Sequence, residues 1–451
     1  MIKQILTKAV RGKNIFLFIL LTLSIILLAF VFRINPVAVA LLLSFSLYIK
    51  MQRRFAMPRA YNLLYISFLF VIFFAVSDTI VKERLPNFYI PFSIIPMLAT
   101  ILFSNLEVSL LLSMASAVVL ALLSNNNLYL GIITLISGAI SSLLVIGVRR
   151  RSQIIRAGML VGLVQMTSLF FIESFKISGI EGYAVLFING CACGIIVAGI
   201  LPVFEYLFGV VTNISLLELS DPDHELLRNM ILKAPGTYHH SLVVGNLAEQ
   251  ACEVVVGANS LLARIGAYYH DIGKIEKAEY FSENQIPSSS KHDELTPSMS
   301  KLVIMNHVRE GAELAKRYKL NPIIIDFILR HHGTSLVYYF YRRALENLDQ
   351  DQEVKEEGFR YPGPKPNSKE TAIVLLADSV EAACRAIKIP THTSMEEIVH
   401  KVINNKFIDG QLDECELTLR DLEKIAGVFI RILGGIYHPR ITYPEEESES
   451  R

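Results

Sequence analysis

Between residues 15 and 209 the sequence carries one long apolar run after another, at about 15–32, 36–49, 61–81, 90–104, 106–124, 128–147, 157–175 and 183–209. A helix needs roughly 20 mainly apolar residues to cross the hydrocarbon of a bilayer, and only the second and fourth runs are clearly short of that. A large buried soluble core is the competing explanation, but so many long stretches without charges argue against it. The runs predict a polytopic helical membrane domain over residues 15–210, with about eight transmembrane helices. Tyr48, Tyr61, Tyr65, Tyr89 and Tyr129 lie near run ends, where amphipathic rings are favoured.

Charge sets the expected orientation. Lys3, Lys8, Arg11 and Lys13 precede the first run, "KMQRRF" with Arg59 follows the second, and "RRRSQIIR" follows the sixth. Eight spans put these segments on one side, and cation-rich loops face the cytoplasm. The expected location is the cell (plasma) membrane, multi-pass, with the N-terminus and the C-terminal half both cytoplasmic. Residues 1–14 are weakly amphipathic and suit the cytosolic leaflet. Ala38-Val39-Ala40 resembles a cleavage site, yet apolar residues continue past it, so a retained signal anchor is expected.

Beyond residue 215 the chain changes character. All eleven histidines lie at or after His224, while the net charge of +1 gives no reason to expect a nucleic-acid polymer as partner. The five cysteines show no disulfide or zinc-finger spacing and read as packing thiols in a reducing compartment. The remaining signals are helical. "SDPDHELLRNMILKA" offers Asp221 as N-cap and Pro222 at the first helical position, and "NSLLARIGAYYHDIG" offers Asn259 as cap and Gly273 as stop. "NPIIIDFILRHHG" runs from an Asn-Pro start to Gly333, and "TSMEEIVHKVI" offers a capping box between Thr393 and Glu396. No run alternates as a strand does. Two segments, 277–297 and roughly 346–369, read as loops. The expected fold class is all-α throughout, with a cytosolic helical domain over 215–444 and an acidic disordered tail over 445–451.

Histidines fall at or near the ends of these helices: His239 and His240, His270 followed by Asp271, His307, then His331 and His332. Asp378 stands alone in the apolar "VLLADSVEAA", and an unpaired carboxylate is costly to bury. Imidazole with carboxylate suits borderline divalent metals such as Mn, Fe, Co, Ni or Zn. Five histidines and two aspartates are too many for one ion, and they fit two ions sharing one carboxylate, an arrangement suited to displacement at phosphorus. Lys274, one turn beyond Asp271, can reach a phosphate oxygen from the same face. Spacing does not choose between His239 and His240.

The pattern H…HD…H…HH…D resembles the HD-domain metal-dependent phosphohydrolases. "LLELSDPDHELLRNMILKAPGTYHHSLVVGNLAE", "ARIGAYYHDIGK", "HHGTSLVYYFY" and "FRYPGPKPNSKETAIVLLADSVEAA" are similar to one branch, membrane proteins with seven spans and a cytoplasmic HD domain that act as cyclic di-AMP phosphodiesterases. The similarity runs from about residue 36 to 444. It implies His240, His270, Asp271 and Asp378 on one metal and His307, His331 and His332 on the other, with Asp271 bridging and Lys274 as a phosphate contact. The implied cofactors are two divalent ions, Mn or Fe, and the implied reaction opens cyclic di-AMP to linear 5′-pApA. Members carry a large extracytoplasmic domain after the first span, whereas only about "RINP" separates the first two runs here. Regulation is left to the spans, short loops, a homo-oligomer or a regulatory membrane partner. The Gly-Tyr-Pro signature of cyclic di-GMP hydrolases is absent downstream of "HHGTSL".

Three further contacts are expected at the substrate: Tyr280 and Asn284, from a loop able to fold over it, and Arg360 in "RYPGPKP". His292-Asp293 reads as surface or lid chemistry, and His392, His400 and His438 as surface or packing residues. The competing readings are a membrane receptor or scaffold that binds the dinucleotide without cutting it, and an HD phosphohydrolase for another nucleotide.

Overall fold

The computed structural model describes residues 61–124, 127–173, 179–285, 291–346, 354–387 and 391–437. The first two apolar runs, the cations flanking them, the acidic tail and His438 lie outside the described residues. The chain divides into two compact units, Met1–Ser215 and Leu216–Arg451. Among the described residues both are helical, and the β-type pairing is an isolated antiparallel bridge between Leu336 and Arg360.

The first unit contains α1 (Tyr61–Lys82), α2 (Ile94–Phe103), α3 (Leu106–Leu123), α4 (Leu128–Leu144), α5 (Arg151–Ile172) and α6 (Ile180–Phe208). Of these, α3, α5 and α6 are long and apolar enough to cross a membrane, whereas α4 is shorter. The run at 90–104 yields only the ten residues of α2, about 15 Å of helix and half a bilayer core. Pro86 and Pro91 remove donors and keep the preceding stretch out of α-helix. That stretch needs other partners for its carbonyls, and Asn189 on α6 donates to Phe88 O at 3.0 Å and to Ile90 O at 2.8 Å. Irregular backbone among apolar helices is tolerated only where such groups are satisfied.

Small and hydroxyl side chains let these helices approach. Ser109 bonds to Pro96 O at 2.8 Å and to Ser142 at 2.6 Å, tying α2, α3 and α4 together. At the α5–α6 crossing, a Cβ on Gly158 would stand 2.7 Å from Gly190 O, and one on Gly190 would collide with the backbone of Gly162.

Helix α7 (Asn213–Leu219) carries the chain into the second unit, which holds α8 (Glu225–Lys233), α9 (Pro235–Val254), α10 (Ser260–Tyr269), α11 (Pro297–Arg317), α12 (Pro322–Arg330), α13 (Tyr338–Glu346), α14 (Lys369–Arg385), α15 (His392–Ile408) and α16 (Leu419–Ile436). Its core packs Val244, Leu247 and Ala251 of α9 against Leu375, Leu376 and Val380 of α14, Ile403 of α15 and Phe429 of α16. Asn259 and Asn321 cap α10 and α12, accepting from Leu262 N and Ile323 N.

Three expected boundaries move. Asp221 does not cap α8: its carboxylate accepts from Asp223 N at 2.9 Å and closes a turn, so the helix starts after His224. The capping box of α15 joins Thr391 to Ser394, two residues earlier than Thr393 and Glu396. Helix α10 stops at Tyr269, and Gly273 lies in the 3₁₀ segment Ile272–Tyr280.

Substituting Gly190→Leu should force α5 and α6 apart and cost about 1–3 kcal/mol. It would be seen as a lower unfolding midpoint of the detergent-solubilised protein. An unchanged midpoint would contradict the close crossing.

Candidate active site

Five places in the second unit deliver side chains to one point. His240 sits in the second turn of α9, and Asp378 sits in the middle of α14. His270 and Asp271 follow the last turn of α10, while His331 and His332 follow that of α12. His307 comes from α11. The close approach depends on Gly273, where a Cβ would fall on His307 O. With no side chain there, the strand of chain after Asp271 lies directly against α11.

The seven residues form two groups, Asp271 with His307, His331 and His332, and His240 with His270 and Asp378, each with its candidate ligand atoms within 4.8 Å of one another. Asp271 faces both. Its Oδ2 is 3.1 Å from His270 Nε2 and 3.7 Å from His240 Nε2, and its Oδ1 is 3.3 Å from His307 Nε2 and 3.5 Å from His331 Nε2. Asp378 Oδ1 is 3.1 Å from His240 Nε2, and Oδ2 is 3.5 Å from His332 Nδ1. His239, by contrast, is exposed.

The outer ring nitrogens explain the inward aim. His270 Nδ1 donates to Ala267 O at 2.6 Å, His331 Nδ1 to Ile328 O at 2.8 Å, and His307 Nδ1 to Ile304 O. His240 Nδ1 is 2.5 Å from Glu381 Oε2. A proton on each Nδ1 leaves Nε2 with a lone pair, and those of His307 and His331 face each other at 3.2 Å. Ion pairs aside, His270 Nε2 and both Asp271 oxygens are buried without a hydrogen-bond partner. Converging lone pairs and orphaned buried acceptors fit divalent cations, with outer hydrogen bonds fixing the ring orientations.

Electrostatics agree. Burial opposes charge on Asp271, but His270 and Lys274 outweigh it and hold the carboxyl well below its usual range. Asp378 is likewise lowered against burial, first by its hydrogen bond to His240. Burial pulls His331 down to about 4 and His332 well below its ordinary value, so both are neutral near pH 7. His240 goes the other way: burial disfavours its charge, yet Asp378 and Glu381 raise it to about 9. His331 and His332, neutral beside ionised carboxylates, are in the form that binds metal, and His240 would release its proton on binding.

The site opens into a cavity of about 700 Å³, lined by His240, His307, His332 and Asp378 and by the rings of Tyr280, Phe281, Tyr339, Phe340 and Tyr361. Lys274 lies on it, 2.7 Å from Asp271 and 2.9 Å from Glu283. Of the three expected substrate contacts, only Tyr280 lines the cavity. Asn284 instead binds the start of α9, accepting from Gly236 N at 2.9 Å and Thr237 N at 3.2 Å. Arg360 is engaged by Asp409, at 2.8 Å, and Glu356, at 2.7 Å. His292 is buried, not at the surface, and its Nε2 meets Tyr280 O at 2.8 Å. Glu381 and Lys406 were not singled out from the sequence. The spacing Asp378-x-x-Glu381 on one helix was the available signal for the first.

The family model described as 7TM receptor with intracellular HD hydrolase matches residues 35–212, and the HD domain model matches residues 237–383. The cyclic-di-AMP phosphodiesterase PgpH of Bacillus subtilis is 46% identical over 326 residues, 71% of this chain and 45% of that protein. PgpH of Listeria monocytogenes is 40% identical over 407 residues, 88% of this chain and 55% of that protein. A crystal structure of the L. monocytogenes PgpH HD domain in complex with cyclic-di-AMP is 48% identical, covers 49% of this chain and 100% of its own, and superposes with a TM-score of 0.45. The chain spans about half the length of the curated relatives it matches. With both matched segments in this order in a single polypeptide, the chain belongs to the family of 7TM receptors with an intracellular HD hydrolase.

Proposed function

We propose that this protein is a metal-dependent phosphodiesterase that opens cyclic di-AMP to linear 5′-pApA at the cytoplasmic face of the plasma membrane. The observation that carries this reading is the convergence of five histidines and two aspartates, with both oxygens of Asp271 buried between them. The choice of substrate rests on the relatives named cyclic-di-AMP phosphodiesterase. The cytoplasmic assignment rests on the cations of "RRRSQIIR", Arg149 and Arg150 before α5 and Arg151 and Arg156 in its first turns.

In this reading His240, His270, Asp271 and Asp378 hold one ion, and His307, His331 and His332 hold the other with Asp271 shared. Two divalent ions there, manganese or iron, would supply Lewis acidity and a nucleophile near neutral pH. The protein's own contribution is position and charge. Carbonyls of Ala267, Ile304 and Ile328 and the carboxylate of Glu381 fix four imidazoles by their outer nitrogens. Lys274, whose charge is favoured by Asp271 and Glu283 against burial, meets a phosphate oxygen. The aromatic wall of the cavity excludes water and offers faces on which bases can stack.

Full-length protein purified in detergent with manganese should convert cyclic di-AMP to pApA and lose that activity to a chelator. Following the relatives named for cyclic di-AMP, cyclic di-GMP should be cut at least about tenfold more slowly. Tight binding of cyclic di-AMP without turnover would replace this reading with a receptor. Preference for another nucleotide would overturn the substrate. Glu381→Ala should weaken manganese binding about 10–100-fold by freeing the His240 ring, with turnover recovered at high manganese. Unaltered metal affinity in a calorimetric titration would remove Glu381 from the site.

A further inference from the structure

The four cations on the cavity, Lys274, Arg343, Arg385 and Lys406, are not equivalent, and Arg343 has a partner of its own. Lys274 is matched by Asp271 at 2.7 Å and Glu283 at 2.9 Å, and Arg385 by Glu381 at 3.3 Å. Lys406, on α15, differs. Its Nζ donates to Ser335 Oγ at 2.7 Å, and no carboxylate among the described residues pairs with it. The two acids whose charge reaches it are Asp378 and Asp409. Both are already committed. Asp378 belongs to the histidine cluster, and Asp409 accepts from Arg360 at 3.1 and 2.8 Å and from Gln411 at 2.8 Å. Burial accordingly outweighs those acids and lowers the pKa of Lys406. A half-buried ammonium with one hydroxyl partner is costly to keep, and an arriving anion relieves that cost.

We propose that Lys406 binds the phosphate of the substrate that is not being cut. The inference rests on the cyclic dinucleotide phosphodiesterase reading, because such a ring carries two phosphates and only one can occupy the histidine and aspartate cluster beside Lys274. The second needs its own cation within the same cavity. Lys406 is on the lining, and its anchor Ser335 follows His332 by three residues and donates to its carbonyl at 3.0 Å. Lys274 is held instead by Glu283 on a different segment. The two ammonium groups are thus held by separate segments of the lining, one for the reacting phosphate and one for its counterpart. Arg360 occupies Asp409, so that carboxylate is not free to pair with Lys406.

The test compares wild type, Lys406→Met and Lys406→Arg as full-length, manganese-loaded proteins on cyclic di-AMP and on bis(4-nitrophenyl) phosphate, which has a single phosphodiester. Lys406→Met should raise KM for cyclic di-AMP about tenfold or more, the loss expected for one charged hydrogen bond to phosphate. Its kcat should change far less than its KM, and the loss on the single diester should be about ten times smaller than on the dinucleotide. Lys406→Arg should recover most of the KM. Equal losses on both substrates would place Lys406 at the reacting phosphate or in the fold, and an unmoved KM would remove it from binding; either result overturns the inference. A wild type that cuts the single diester but no cyclic dinucleotide would instead sink the underlying function, and this inference with it.

Discussion

The second unit is organised around one buried carboxylate. Asp271 presents Oδ2 to His270 and His240 and Oδ1 to His307 and His331, with Lys274 2.7 Å away. Withdrawing such a charge from water costs several kcal/mol unless cations or strong donors replace the solvent. Much of the local architecture serves that replacement. Helix α10 ends at Tyr269, just before the His270-Asp271 pair. Gly273 lets the chain pass against α11, and α12 ends where His331 and His332 are needed. Removing the centre would leave these helix ends with no electrostatic reason to meet.

The two units solve the burial of polar groups differently. In the first, hydroxyls and amides such as Ser109, Ser142 and Asn189 satisfy one another and the backbone between α1 and α2. Those contacts close on themselves and hold the helices together. Each unit also buries polar atoms without a hydrogen-bond partner, and in the second His270 Nε2 and the two Asp271 oxygens are three that lie together. What sets these three apart is that they converge on one buried point among the other histidines and Asp378, an arrangement suited to something that is not protein.

What the sequence revealed follows the range of each signal. Helix caps are local, so Asn259 and Asn321 were legible, and the structure places them at the starts of α10 and α12. Asp221 was misleading because an Asx turn uses the same residue type as an N-cap. Histidine and aspartate are scarce enough for their grouping to be noticed, and the structure brings all seven together. The choice between His239 and His240 needs the helix phase, which buries one and exposes the other. Arg360 looked free because Asp409, 49 residues away, is invisible to local reasoning. Glu381 and Lys406 went unnoticed for a related cause: charged residues on helices are common, and only tertiary packing makes one a brace for His240 and leaves the other facing a cavity.

The central claim is that one carboxylate serves two metal ions. The most direct measurement is the metal content of wild-type and Asp271→Ala protein, each saturated with manganese, desalted and analysed alongside its turnover of cyclic di-AMP. The account predicts two ions per wild-type chain, loss of both in the variant together with its activity, and unchanged helicity and membrane extraction. A variant that keeps its ions and its turnover would show that Asp271 is a buried structural charge and that the centre is built on some other group.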